Sequence, residues 1–365
     1  MNQNSHYHFN ETITVPFDEI KPWIRDVFAA EGLKPEEAEL VAETLVDADA
    51  RGVYSHGIQR VKLYSKRIET GCINKDGTPF TETIDDATAV VNGDDCMGQT
   101  VGVYAMDLAI DLARKYGVSF VVANHSNHYG RCAYFARMAL EHDMIGFSCT
   151  IGGGNLMAPW GGTDSRVGNN PFSVAIPAGK YYPVVLDSAQ SVVAKGKVDV
   201  AAKTHAPIPA DWAFDKYGNP TTDAEAALEG SLRPIADYKG SGIAIIISLL
   251  SSVISNAAIG ANLKTIYKDF DGPLNKGQCF MAVDLARMTD IKAFKERMDT
   301  QIAFIKASPA APFTDEVYLP GEIEWKNNER QLRDGIVYPV EILKEINTIA
   351  TNYSIPVPKW LAPIL

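Results

Sequence analysis

The stretch QTVGVYAMDLAIDLARKYGVSFVVANHSNHYGRCAYFARMALEHDMIGFSC, residues 99–149, decides the fold class. Over 99–116 apolar side chains recur at helical spacing, and Gly117 ends the run. Residues 118–123 are rich in Val and Phe and read as a strand. A second helical pattern, 130–142, leads into a second strand, 145–149. Alternation of this kind predicts a sheet covered by helices.

Outward from this core, the N-terminal side is helical. Ile20, Trp23, Ile24, Val27 and Phe28 line one face of a predicted helix over 17–30, and Leu40, Val41, Leu45 and Val46 do so over 36–50. A third helix is expected over 55–70, ending at Gly71, before a β-like run at 87–91. On the C-terminal side, β-like runs fall at 172–176, 182–186 and 279–283. Residues 194–234 are rich in Ala, Asp, Gly and Pro and read as loops and short helices. The uncharged segment 241–260 is long enough to span a bilayer, but its serines favour a buried helix, apolar all round. Helices are expected again at 291–305 and 340–351, separated by a loop, LPGEIE, at 319–324.

The chain has 365 residues and a net charge of -11. Without clustered Lys and Arg it is not expected to bind nucleic acid. Its five cysteines are scattered and include no C-x-x-C pair, which points to a reducing, cytoplasmic setting. The polar opening, MNQNSHYHFNET, does not read as a secretory leader, and no membrane partner is expected.

Five groups of residues could carry chemistry. In Ser55-His56-Gly57-Ile58-Gln59-Arg60, a helix would put His56 and Arg60 on one face. Imidazole passes protons near neutral pH, and guanidinium grips a carboxylate. Asn124-His125-Ser126-Asn127-His128-Tyr129-Gly130 sits where a strand gives way to a helix, a polar junction that suits a cleft; a metal on His125 and His128 lacks a third ligand. Gly152-Gly153-Gly154 allows close backbone approach or simple turns. Asp187 follows a β-like run and could orient a histidine or cap a turn. Tyr238-Lys239-Gly240-Ser241-Gly242 could cradle a phosphate. There is no G-x-G-x-x-G and no G-x-S-x-G. The residues alone therefore stop at an enzyme acting on a small carboxylate.

Taken together, GVYSHGIQRVKLY, NHSNHYG, APWGGTDSRVGNNPFSVAIP, VVLDSAQSVVAKGK, DYKGSG and LPGE resemble the second type of malate/L-lactate dehydrogenase family, in order along the chain. That family includes ureidoglycolate dehydrogenase, diketogulonate reductase, sulfolactate dehydrogenase and piperideine-2-carboxylate reductase. The resemblance implies an α+β fold. Its NAD(P)-binding domain is non-Rossmann, with a large, mostly antiparallel sheet, expected over 81–205 and 275–314. A helical domain is built from both termini, 1–80 and 315–365, and a mainly helical excursion covers 206–274.

The resemblance also implies hydride transfer between nicotinamide, as NAD or NADP, and the α-carbon of a small 2-hydroxy or 2-oxo acid, in a homodimer and without a metal. His56 falls on the family's proton donor, with Ser55 and Asp187 on its serine and aspartate. Some members place the acid/base on the residue matching His128. His56 ranks first because Arg60 shares its face. Substrate contacts fall on Arg60 and Asn170. Cofactor contacts fall on His128, Tyr129, Gly130, Arg131, Cys132, Asp187, Ser188, Ala189, Lys239, Gly240, Gly321 and Glu322. Asn169 stands where members often carry Thr, and Ser188-Ala189-Gln190-Ser191 where many carry Met-Ala-Thr-Ser. Two other readings are an imine reductase acting on a cyclic 2-carboxylate and a hydrolase using Ser55, His56 and Asp187. For the hydrolase, adjacency in one helix should keep the serine hydroxyl off its neighbour's imidazole.

Overall fold

The computed structural model describes residues 11–365, so the polar opening lies outside the described residues. A seven-stranded sheet has the order β2-β3-β4-β10-β5-β6-β7. Its strands are β2 (Phe80–Asp85), β3 (Thr88–Asn92), β4 (Phe120–Ser126), β5 (Met144–Thr150), β6 (Phe172–Ile176), β7 (Val184–Ser188) and β10 (Lys276–Asp284). Only β3 and β4 pair in parallel; the other neighbours are antiparallel. The sheet is therefore mixed and mostly antiparallel.

Helices α4 (Gly98–Tyr116) and α5 (Cys132–Met138) cover one face. Val101, Ala105, Ala109 and Phe135 from these helices close a core with Val121, Ala123, Phe280 and Ala282 of the strands. Close packing is enforced at Gly146, where a Cβ would lie 2.0 Å from the Ala136 carbonyl oxygen.

The terminal layer joins both chain ends. β1 (Thr12–Val15) pairs with β11 (Ile336–Pro339). Helices α1 (Phe17–Ala30), α2 (Pro35–Ala50), α3 (Val61–Glu69) and α11 (Val340–Asn352) share one apolar cluster, with Ile20, Val27, Leu45, Tyr64 and Leu343 inside it. Two further helices, α9 (Ile291–Lys306) and α10 (Glu322–Asp334), lie between β10 and β11 in the chain. A smaller cluster serves α6 (Lys195–Lys203), α7 (Ala224–Glu229) and the short pair β8 (Ala213–Phe214) and β9 (Ser231–Leu232). It recruits Met157, Val193 and Val198, residues expected to belong to the sheet domain.

The segment expected as one buried helix differs most. It forms α8 (Tyr238–Ser248), then a π-helical turn (Leu249–Val253), and only one face is covered. Ser251 and Ser255 point inward because each hydroxyl donates to a carbonyl one turn back, at 2.7 Å. Their small size lets the backbone approach Gly277, where a Cβ would lie 2.2 Å from the Ser251 oxygen. Ile246, Leu249, Val253 and Ile254 are consequently exposed, Ile246 at 53%. No helix among the described residues is long and apolar enough to cross a membrane.

Because Leu343 is wholly buried against the N-terminal helices, Leu343→Ala is expected to cost about 2–5 kcal/mol. A fall in the urea midpoint with an unchanged slope checks this.

Candidate active site

The segment after α2 sets the site. The stretch expected as a helix from 55 is instead two 3-10 turns, Tyr54–His56 and Ile58–Arg60, with extended Gly57 between them. The reason is Asp49. Its carboxylate accepts from the Ile58 N–H (2.8 Å) and from the Tyr338 hydroxyl (3.2 Å). It occupies the place of a side chain at position 57, where a Cβ would fall 1.6 Å from Asp49 Oδ1. His56 and Arg60 are thus not joined by one α-helical face.

The turns place Ser55 Oγ 2.9 Å from His56 Nδ1, so adjacency does not keep the pair apart: a 3-10 turn orients neighbours differently from the expected α-helix. Arg60 Nε donates to the Ser55 carbonyl (2.6 Å) and Nη1 to the Tyr267 hydroxyl (3.1 Å). The His128 ring stacks on His56, with centroids 5.7 Å apart and planes 18° from parallel. Its Nδ1 lies 2.7 Å from the hydroxyl of Tyr64. His125 turns elsewhere, to Asp95.

Both imidazoles are neutral. Burial, then the charges of Arg60 and Arg131, push His56 down to about 3. Burial, then His56, Arg60, Lys276 and Arg67, push His128 well below the usual histidine range. Asp187, which could have oriented a histidine, makes no hydrogen bond to His56 among the described residues. Asp187 instead lies 3.6 Å from Arg131 Nε and accepts from the Ala133 N–H (3.3 Å).

Other expected contacts divide. Asn170 is buried; it accepts from the Gly152 N–H and donates to the Ala244 carbonyl and Ser248 hydroxyl. With its amide engaged on both sides it braces the glycine loop instead of facing a substrate. Tyr129 and Cys132 are core residues, the phenol bonded to Cys132 Sγ and Ser148 Oγ. Glu322 turns to Lys306, at 2.7 Å. Burial opposes its ionisation, but Lys306, the Leu319 N–H and Lys326 outweigh that and hold it below the ordinary range. Lys239 is exposed at the start of α8, and Gly240 packs against the Ile235 carbonyl.

Arg131, Asp187 and Gly321 do converge, on a cavity of about 300 Å3 also lined by Arg51, Arg137 and Trp325. Asp47 anchors its arginines: Arg51 Nε at 2.9 Å, Arg137 Nη1 at 3.0 Å and Arg131 Nη1 at 3.8 Å. Burial raises the Asp47 pKa, but Arg137, Arg51 and Arg131 outweigh it, to about 2. Arg131 Nε and Nη1 remain buried without a hydrogen-bond acceptor. A second cavity, about 560 Å3, opens beside Ser55 and is walled by Tyr54, Gln59, Lys197, Arg330 and Tyr338.

Sequence reasoning missed Tyr64, Arg51, Arg137, Tyr267 and Lys276. Tyr64 carried a signal, since it lies four residues after Arg60. Lys276 carried none. Its wholly buried ammonium donates to the Gly152 carbonyl, and burial, with Arg67, lowers it to about 7.

A family model described as malate/L-lactate dehydrogenase matches residues 15–347. The malate/(S)-sulfolactate dehydrogenase of Methanothermus fervidus is 34% identical over 338 residues, 93% of this chain and 97% of that one. The ureidoglycolate dehydrogenase (NAD(+)) of Escherichia coli K12 is 32% identical over 315 residues, 86% and 88% of the two chains. The solved malate dehydrogenase of Pyrococcus horikoshii OT3 superposes with a TM-score of 0.87 at 33% identity, covering 96% of this chain and 99% of that one.

Asp47→Asn is expected to lower the urea midpoint at pH 7, because three guanidinium groups lose their shared carboxylate. A depressed carboxylate stabilises above its unfolded pKa, here 3.8, and the benefit disappears as pH falls toward about 2. The gap between the two proteins should narrow across that window.

Proposed function

The chain belongs to the malate/L-lactate dehydrogenase family, and from that we propose that it is an NAD(P)-dependent oxidoreductase interconverting a small 2-hydroxy acid and its 2-oxo acid. The observation that carries this reading is the His56–Arg60 double turn: a neutral imidazole braced by Ser55 beside a guanidinium. Malate, sulfolactate and ureidoglycolate, in the names of the relatives, define the substrate class, a carboxylate next to a C–O centre.

The cofactor is NAD or NADP. The residues of the arginine-lined cavity fit a dinucleotide: Arg51, Arg131 and Arg137 line it together, and Arg131 Nε and Nη1 meet Asp187 and Asp47 only at 3.6 and 3.8 Å, beyond hydrogen-bond reach, so its donors are under-satisfied. Arg131, with Arg51 and Arg137, would hold its phosphates, and Asp187 and Gly321 would form the adjoining wall. When bound, the nicotinamide supplies or accepts the hydride.

Arg60 binds the substrate carboxylate. Its Nη2 has no hydrogen-bond partner among the described residues, and Nη1 can exchange Tyr267 for the ligand. In the oxidative direction His56 Nε2 accepts the hydroxyl proton. For that, Nδ1 must carry hydrogen and donate to Ser55 Oγ. The carboxylate offsets one of the positive charges that depress His56, so substrate binding raises the imidazole's basicity where it is needed. In the reductive direction the same nitrogen returns the proton.

A hydrolase reading keeps the Ser55–His56 contact but loses its third member, because Asp187 faces Arg131. The exposed apolar face of α8 and its π-turn is assigned to a second copy of the chain, giving a homodimer. Patches of this kind mark association surfaces.

The test is reduced-nicotinamide absorbance on mixing the enzyme with NADH or NADPH and 2-oxo acids; no oxidation with any pairing sinks the proposal. His56→Ala is expected to lower kcat by about 10²–10⁴-fold, and Arg60→Ala chiefly to raise KM. Ile246→Glu should shift the sedimenting species toward the monomer.

A further inference from the structure

Two imidazoles stack in the site, and the reaction moves one proton, so they need different tasks. The hydrogen bonds around His128 separate them. Its Nδ1 is approached by two groups, the Tyr64 hydroxyl at 2.7 Å and the Gly130 N–H at 3.4 Å. A backbone N–H can only donate, so Nδ1 presents its lone pair. The phenol must then donate as well, and the ring proton resides on Nε2.

We propose that Tyr64 is a positioning residue that fixes His128 as the Nε2–H tautomer, making it a hydrogen-bond donor to the substrate's 2-oxygen and leaving His56 as the sole proton acceptor. This rests on the dehydrogenase reading for the identity of that oxygen, but not for the tautomer.

The surroundings support the assignment. Tyr64 is wholly buried in α3, one turn beyond Arg60, with its ring 5.9 Å from that of His128. Burial raises its pKa, so the phenol keeps the proton it donates. Burial, with His56, Arg60, Lys276 and Arg67, keeps His128 uncharged. A neutral N–H donor in a dry site stabilises oxyanion character as the carbonyl accepts hydride, and gives up no proton of its own. His56 contrasts with it: Nδ1 meets a serine hydroxyl, which can accept, so its Nε2 can be the bare nitrogen. The Tyr64 proton stays on the phenol throughout, and the transferred proton moves only between substrate oxygen and His56.

Nitrogen-15 histidine labelling with long-range proton–nitrogen correlation reads the tautomer directly, and the His128 signal is identified by its loss in His128→Gln. In the wild-type enzyme a protonated Nε2 and a bare Nδ1 are expected. Tyr64→Phe should give a mixed tautomer and a kcat about tenfold lower, with KM nearly unchanged. A protonated Nδ1 in the wild type overturns the proposal, as does a Tyr64→Phe enzyme with unchanged tautomer and kcat. If Tyr64→Phe does not fold, the wild-type spectrum alone decides the tautomer. Failure to oxidise NADH or NADPH with any 2-oxo acid would reject the dehydrogenase reading separately, because the spectrum needs no turnover.

Discussion

One carboxylate, Asp47, holds guanidinium groups from two layers of the molecule. Arg51 follows it on the terminal helical layer, while Arg131 and Arg137 come from the start and end of α5 on the sheet. Buried cations at this density repel one another, and only an ionised partner makes the arrangement tolerable. The junction supports the site from both sides. Two residues on, Asp49 fixes the turns that carry His56 and Arg60. On the opposite wall, Arg131 reaches toward Asp187.

The electrostatics of the two buried centres are complementary. Burial, and after it positive charge, lowers the histidines' affinity for protons, and that charge suits the site to a small anion. A carboxylate held by Arg60 would offset part of that charge, coupling ligand binding to proton affinity.

Much of this was legible in the residues, and the failures have physical causes. Periodicity located α1, α2, α4 and the strands β4 and β5, because each buries one regular face. It failed at 55–60, where Asp49, brought in by α2, replaces a helical turn with two tighter ones. It failed again at 241–260, where composition could not tell that serines would face the sheet and isoleucines the solvent. Family motifs located the neighbourhood of the site but not the direction of each side chain. Tyr129 and Asn170 lie in matching motifs yet point into packed interior. Arg51 and Arg137 sit in no quoted motif and line the cavity.

The pairing of β1 with β11 has a consequence for biosynthesis. Thr12 waits for Pro339, a partner more than three hundred residues later in the chain. Long-range closure of this kind is slow and comes late. The sheet can assemble while the ribosome is still working, but the layer that carries the turns at 54–60 cannot close until residue 339 has emerged. Nascent fragments that stop short of β11 therefore lack the closed layer on which the turns at 54–60 rest.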